Sequence, residues 1–249
     1  MDFERIKYYI LAALASLIAL TVHEVCHGYA AYKLGDNTAK NLGRLSLNPL
    51  KHLDPVGTIC MIFFHIGWAK PVPINPRNFK NPKRDFAISA AAGPLSNFIM
   101  GFFGAGLFLL TFALLRDVKF TEENFAFNLA QNTITFLSIF FSVNIGLGLF
   151  NLIPIPPFDG SRIVHALLPE KIYFGMMKYE RYIYYFMLGW LFLGDYVAAF
   201  LRSLPIISQS PVLYTIVGIF GLGDMISAAI SFVTGAILSL WQLIPFLRL

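Results

Sequence analysis

Charge is scarce in this sequence. Only 13% of its 249 residues are Asp, Glu, Lys or Arg, against about 25% in a typical soluble domain. With 57% hydrophobic residues and a positive mean hydropathy, this excludes a water-soluble globule and indicates a polytopic membrane protein. Cysteine is nearly absent: Cys26 and Cys60 lie in or beside apolar segments, too few and too embedded for a secreted disulfide framework. The formal charge of +5 is dispersed over loops, and the 25 phenylalanines sit in apolar runs instead of alternating with Lys and Arg, which argues against nucleic acid as a partner. No small-residue cleavage site follows the first apolar run, which therefore reads as a retained membrane helix. There is no repeat of fixed period and no low-complexity linker, so residues 1–249 read as one membrane domain with a core at 6–168 and additional C-terminal helices at 182–240.

Five apolar runs are long enough to span a bilayer, which takes about 20 helical residues: 6–32, 86–115, 131–153, 182–201 and 211–240. The last is one tilted helix or a broken pair, because "GIFGLGD" places glycines and Asp224 in its middle. Residues 56–67 are too short for a span and suit a re-entrant segment, and the four prolines of "WAKPVPINPRNFKNPK" then favour extended or turn backbone. The expected fold is all-α and polytopic, with about five to six transmembrane helices and a short re-entrant or extended segment between the first and second long spans.

Basic residues orient it. If 56–67 dips and returns, thirteen Lys and Arg lie on one face, in loops 33–53, 69–85 and 160–181, while Arg5, Lys7, Arg116, Lys119 and Arg202 lie on the other. The positive-inside rule makes the first face cytoplasmic and puts the N-terminus outside. A true crossing at 56–67 gives a weaker asymmetry.

What the apolar runs do contain is "TVHEVCHG", Thr21 to Gly28, at the cytoplasmic end of the first helix. Three ionisable groups in one turn are costly in lipid unless they face a cavity or a partner. His23 and His27 are four residues apart, so both imidazoles project from one helical face and can share a metal, with Glu24 beside them. In this H-E-x-x-H arrangement zinc acidifies a water and a non-ligating carboxylate carries the proton. The bland alternative is a histidine pair satisfying backbone carbonyls between helices.

Catalytic zinc takes three protein ligands and an open position. "FNLIPIPPFDGSRI", Phe150 to Ile163, ends the third long span, on the same face as the end of the first, so Asp159 can meet His23 and His27. Pro154, Pro156 and Pro157 are expected to break the helix and leave extended backbone there. The competing reading is an ordinary loop with Asp-Gly as a turn.

"HEVCH", "AAGPLSN" at Ala91 to Asn97 and "NLIPIPPFDGSRI" together resemble the site-2 protease family of intramembrane zinc metalloproteases, and "GWAKPVPINPRNF" resembles its compact prokaryotic branch. The likeness covers roughly residues 20–168. It implies one Zn2+ per chain on His23, His27 and Asp159, with Glu24 as general base and acid, and a prokaryotic cell membrane location with membrane-spanning protein substrates. It also implies Asn151 as a residue steadying substrate or oxyanion, and Gly93 and Asn97 as packing near the site, although "AGP" is equally compatible with a helix start. The peptide-binding and nucleotide-sensing modules of some relatives have no counterpart, so regulation is expected to be intrinsic or supplied by partners.

Cys26 lies about 100 degrees from His27 on the helical wheel and reads as packing. His52 and His165 read as loop or interface residues, and His65 as an aromatic-interface residue close enough to watch but not a ligand. Extended backbone near "KPVPINP" is a candidate edge for an unwound substrate strand. A divalent-metal transporter or a catalytically inactive metal-binding scaffold is the alternative function.

Overall fold

The computed structural model describes residues 3–64, 68–119, 124–210, 213, 217 and 222–248. Among them there is no strand. The chain forms α1 (Phe3–Lys33), α2 (Thr38–Asn41), α3 (Pro55–Phe64), α4 (Pro82–Leu115), α5 (Phe125–Asn151), α6 (Asp159–Leu167), α7 (Glu170–Ser203), α8 (Pro205–Ser208) and α9 (Leu222–Trp241). Of the described helices, α1, α4 and α5 are long and apolar enough to cross a membrane, and the apolar stretch Ile226–Trp241 is shorter. Most of 211–221 and His65 lie outside the described residues.

Packing centres on α4, which lies against α1, α5 and α6. Its buried residues are mostly small, among them Ala90, Gly93, Gly101, Gly104 and Ala105. Small residues let backbones approach where lipid supplies no hydrophobic drive between helices. At Gly101 an added Cβ would come within 2.6 Å of Ile145 Cδ1 on α5. α4 starts at Pro82, with Asp85 accepting from the Asn81 backbone N–H at 3.0 Å, so "AGP" is helix interior and not a helix start. A proline at the first position and an acid in the first turn make 81–85 the stronger start signal.

The short apolar run forms a single short helix. α3 has ten residues, a rise of about 15 Å and half a hydrocarbon core. The backbone before and after it meets: Leu53 and Ala69 form an antiparallel bridge, and Lys70 N–H donates to His52 O at 2.8 Å. The segment therefore leaves and returns at one place.

Two expectations for the 150s are corrected. Residues 152–158 form bends and turns rather than extended backbone, closed by Phe158 N–H donating to Ile155 O at 3.1 Å. Asp159-Gly160 is not a turn but the start of α6. Gly160 is required because any Cβ there would overlap the backbone of Leu152 and Ile153, where α6 folds back on the end of α5.

The turn after α1 is tied to the proline-rich segment by fully buried Asp36. Its carboxylate accepts from Thr38 N and Oγ1 at 3.0 and 2.5 Å, from Asn78 Nδ2 at 2.7 Å and from Asn75 N at 2.7 Å. Burial opposes ionisation, but the hydrogen bonds from Thr38, Asn75 and Asn78 outweigh it and hold the carboxyl below the usual range. A depressed folded value means that this stabilisation is complete above the unfolded pKa of about 3.9 and is lost as pH falls below it. Asp36→Ala is expected to cost about 2 kcal/mol in detergent-solubilised unfolding measurements, and to flatten the decline in stability below about pH 4.

Candidate metal centre

The apolar environment makes every polar atom at the α1–α4 contact account for itself. His23 and His27 are buried on the α1 face that meets α4. His23 Nδ1 bonds Asn97 Oδ1 at 2.6 Å, and His27 Nδ1 bonds the Ser89 carbonyl at 2.8 Å. A carbonyl can only accept, so His27 carries its proton on Nδ1. The same follows for His23 from a longer chain. Asn144 Nδ2 donates to Phe140 O at 2.8 Å, which leaves its Oδ1 to accept from Asn97 Nδ2 at 2.9 Å. Asn97 Oδ1 is then the acceptor for His23 Nδ1–H.

Both Nε2 atoms therefore turn lone pairs inward. They lie 2.9 Å apart, and Asp159 Oδ2 lies 3.2 Å from His23 Nε2 and 3.1 Å from His27 Nε2. A proton on one ring can bridge only part of such a cluster, whereas one cation serves all three atoms. Two imidazole nitrogens and a carboxylate oxygen match the donor type of catalytic zinc sites, and tetrahedral ligands at about 2.0–2.2 Å from zinc sit roughly 3.3 Å apart, close to these separations. The donor set fits zinc. Among the described residues it is the group of three His, Cys, Asp or Glu placed to hold a metal.

Gly93 makes the approach possible: a Cβ there would overlap the His27 ring and come within 2.7 Å of His23 Cε1. The anchor of His27 comes one turn earlier on α4, at the Ser89 carbonyl. Ser89 Oγ also donates to the His27 carbonyl at 3.1 Å.

The cluster opens into a cavity of about 410 Å3, whose lining includes Glu24, Val72, Phe86, Asn151 and Arg162. Glu24 Oε2 accepts from the Val72 backbone N–H at 2.7 Å. Asn151, the last residue of α5, spends one amide hydrogen on Leu147 O at 2.9 Å and lines the same cavity. All five residues singled out in the sequence thus share one space.

A model of peptidase family M50 matches residues 10–194. The chain belongs to peptidase family M50. It is 41% identical over 201 residues to the Bacillus subtilis protein named "Putative zinc metalloprotease YwhC", covering 78% of this chain and 89% of that one. It is 28% identical over 161 residues to "Zinc metalloprotease MJ0392" of Methanocaldococcus jannaschii, covering 65% of this chain and 34% of that protein. No solved structure matches.

For this M50 chain, three contributors were not legible as functional from sequence. Asn97 was read as packing, yet it fixes the His23 ring; Asn144 and Ser89 support the same anchors. A polar residue one turn from Gly93, and Asn144 amid the apolar residues of α5, were the available signals. Cys26 is a half-buried free thiol. His52 is buried in its loop with Nε2 bonded to Ser46 O at 2.7 Å, and His165 is buried in α6. Asn97→Ala frees the His23 ring and is expected to lower zinc affinity by about 10–100-fold in chelator competition, with helical content unchanged.

Proposed function

We propose that His23, His27 and Asp159 hold the zinc ion of an intramembrane metalloprotease, and that Glu24 is its general base and acid. The observation that carries this reading is the inward convergence of three lone-pair-bearing atoms, fixed from behind by Asn97 and Ser89, beside a carboxylate that is not among them.

Bound there, zinc supplies a Lewis acid that acidifies water and polarises the scissile carbonyl. The chain's own groups do the rest. Glu24 takes a proton from the attacking water and gives it to the departing amine, returning the carboxylate to its starting state. Asn151 keeps one amide hydrogen for the oxygen that gains charge. The cavity excludes bulk water while admitting a peptide segment that has left its helix.

The substrates are membrane proteins cut within or near their spanning segments, with the lipid bilayer as the medium. α7 and α9 join α1, α4 and α5 to give five crossings, with a sixth where the 211–240 run is a broken pair. The distribution of Lys and Arg supports an N-terminus outside and a site toward the cytoplasmic face of a prokaryotic cell membrane. Metal transport is less well supported, because a transporter has no use for a carboxylate held beside the metal but outside its ligand set.

Glu24→Gln is expected to keep zinc at one per chain and to reduce cleavage of a reconstituted membrane-spanning substrate by about 10²–10⁴-fold. Undiminished cleavage would refute the role of Glu24.

A further inference from the structure

The Pro71-Val72-Pro73 stretch contains one backbone donor, because proline has no N–H. That donor is spent on Glu24: Val72 N–H lies 2.7 Å from Glu24 Oε2. The stretch is bolted on both sides of this contact. Lys70 N–H donates to His52 O and Lys70 O accepts from Arg44 Nη2, each at 2.8 Å, while Asn75 N–H donates to Asp36 Oδ2 at 2.7 Å. The Val72 side chain is buried against α1 at Gly28, where an added Cβ would lie 2.7 Å from Val72 Cγ1. Gly28 is one turn beyond Glu24, so the segment lies along the helical face that carries Glu24.

These contacts occupy most of the donors that an edge would offer a substrate strand. The N–H groups of Lys70, Val72 and Asn75 are already committed and Pro71 and Pro73 have none to offer, so Ile74 holds the remaining N–H of the segment. A glutamate side chain free to swing through its rotamers could present either oxygen anywhere in the cavity. Holding Oε2 leaves Oε1 as the oxygen available to take a proton, in one orientation.

We infer that residues 70–75 are a positioning strap whose Val72 main-chain N–H orients the Glu24 carboxylate for proton transfer. This rests on the reading of Glu24 as the general base. Val72 touches neither metal nor reacting atoms and acts through Glu24.

The direct test replaces the Val72 amide by an ester, incorporating α-hydroxyisovalerate at position 72 of the full chain, which deletes the N–H and keeps the side chain. Against a membrane-spanning substrate, kcat is expected to fall about 10-fold, with KM within about twofold and zinc content unchanged. Val72→Ala keeps the N–H and is expected to lower kcat less than the ester does. A readout free of catalysis is hydrogen exchange in metal-free protein. Few amides report from 70–75, and Val72 is expected to exchange at least about 10-fold faster in Glu24→Ala than in the parent. An ester variant with parental kcat beside an inactive Glu24→Gln overturns the strap and leaves Glu24 as base. Val72 exchange indifferent to Glu24→Ala also overturns it. An active Glu24→Gln overturns the reading of Glu24 itself.

Discussion

The contact between α1 and α4 at Gly93 is the constraint on which the other features depend. Two imidazoles occupy the space that a side chain at Gly93 would fill, and α4 answers each with an acceptor on Nδ1. Because both outer nitrogens are satisfied as donors, both inner ones are left as bases, buried and turned toward Asp159 and the cavity. Unpaired polar atoms there are costly, so the arrangement is stable only if something cationic meets them. The site is built into the helix packing rather than added to its surface.

The remaining parts bring chemistry to that packing. α5 ends where the proline turn begins, and α6 starts at Asp159 because Gly160 can sit against the Leu152 carbonyl. From the other side, the chain around the ten-residue α3 comes back to its starting point through the Leu53–Ala69 bridge, and 70–75 lies across α1. Asp36 holds the far end. The convergence of His23, His27 and Asp159 from α1 and α6, and the Glu24 carboxylate held by 70–75, follow from three local backbone events.

The site was legible in the sequence to the extent that its chemistry uses rare residues. His23, Glu24 and His27 stand out because ionisable groups do not belong in an apolar helix, and Asp159 because loop charges put it at the same end. That 56–67 is too short for a span was readable from length alone, and its helix has ten residues. Backbone partners were not: nothing in the letters of "KPVPINP" says that the Val72 N–H meets Glu24, or that the His27 ring takes the Ser89 carbonyl while the Ser89 hydroxyl goes to the His27 main chain. Asn97 resembles packing until its partner is seen. The prolines of the 150s announced a broken helix, but whether the break is extended or turned depends on how closely α6 can return to α5, a tertiary fact.

The most direct measurement is zinc-edge anomalous diffraction on crystals of the protein. The structure predicts a single zinc peak at about 2.0–2.2 Å from His23 Nε2, His27 Nε2 and an Asp159 carboxylate oxygen. Zinc on the histidine pair with Asp159 turned away, or no zinc between them, would contradict it.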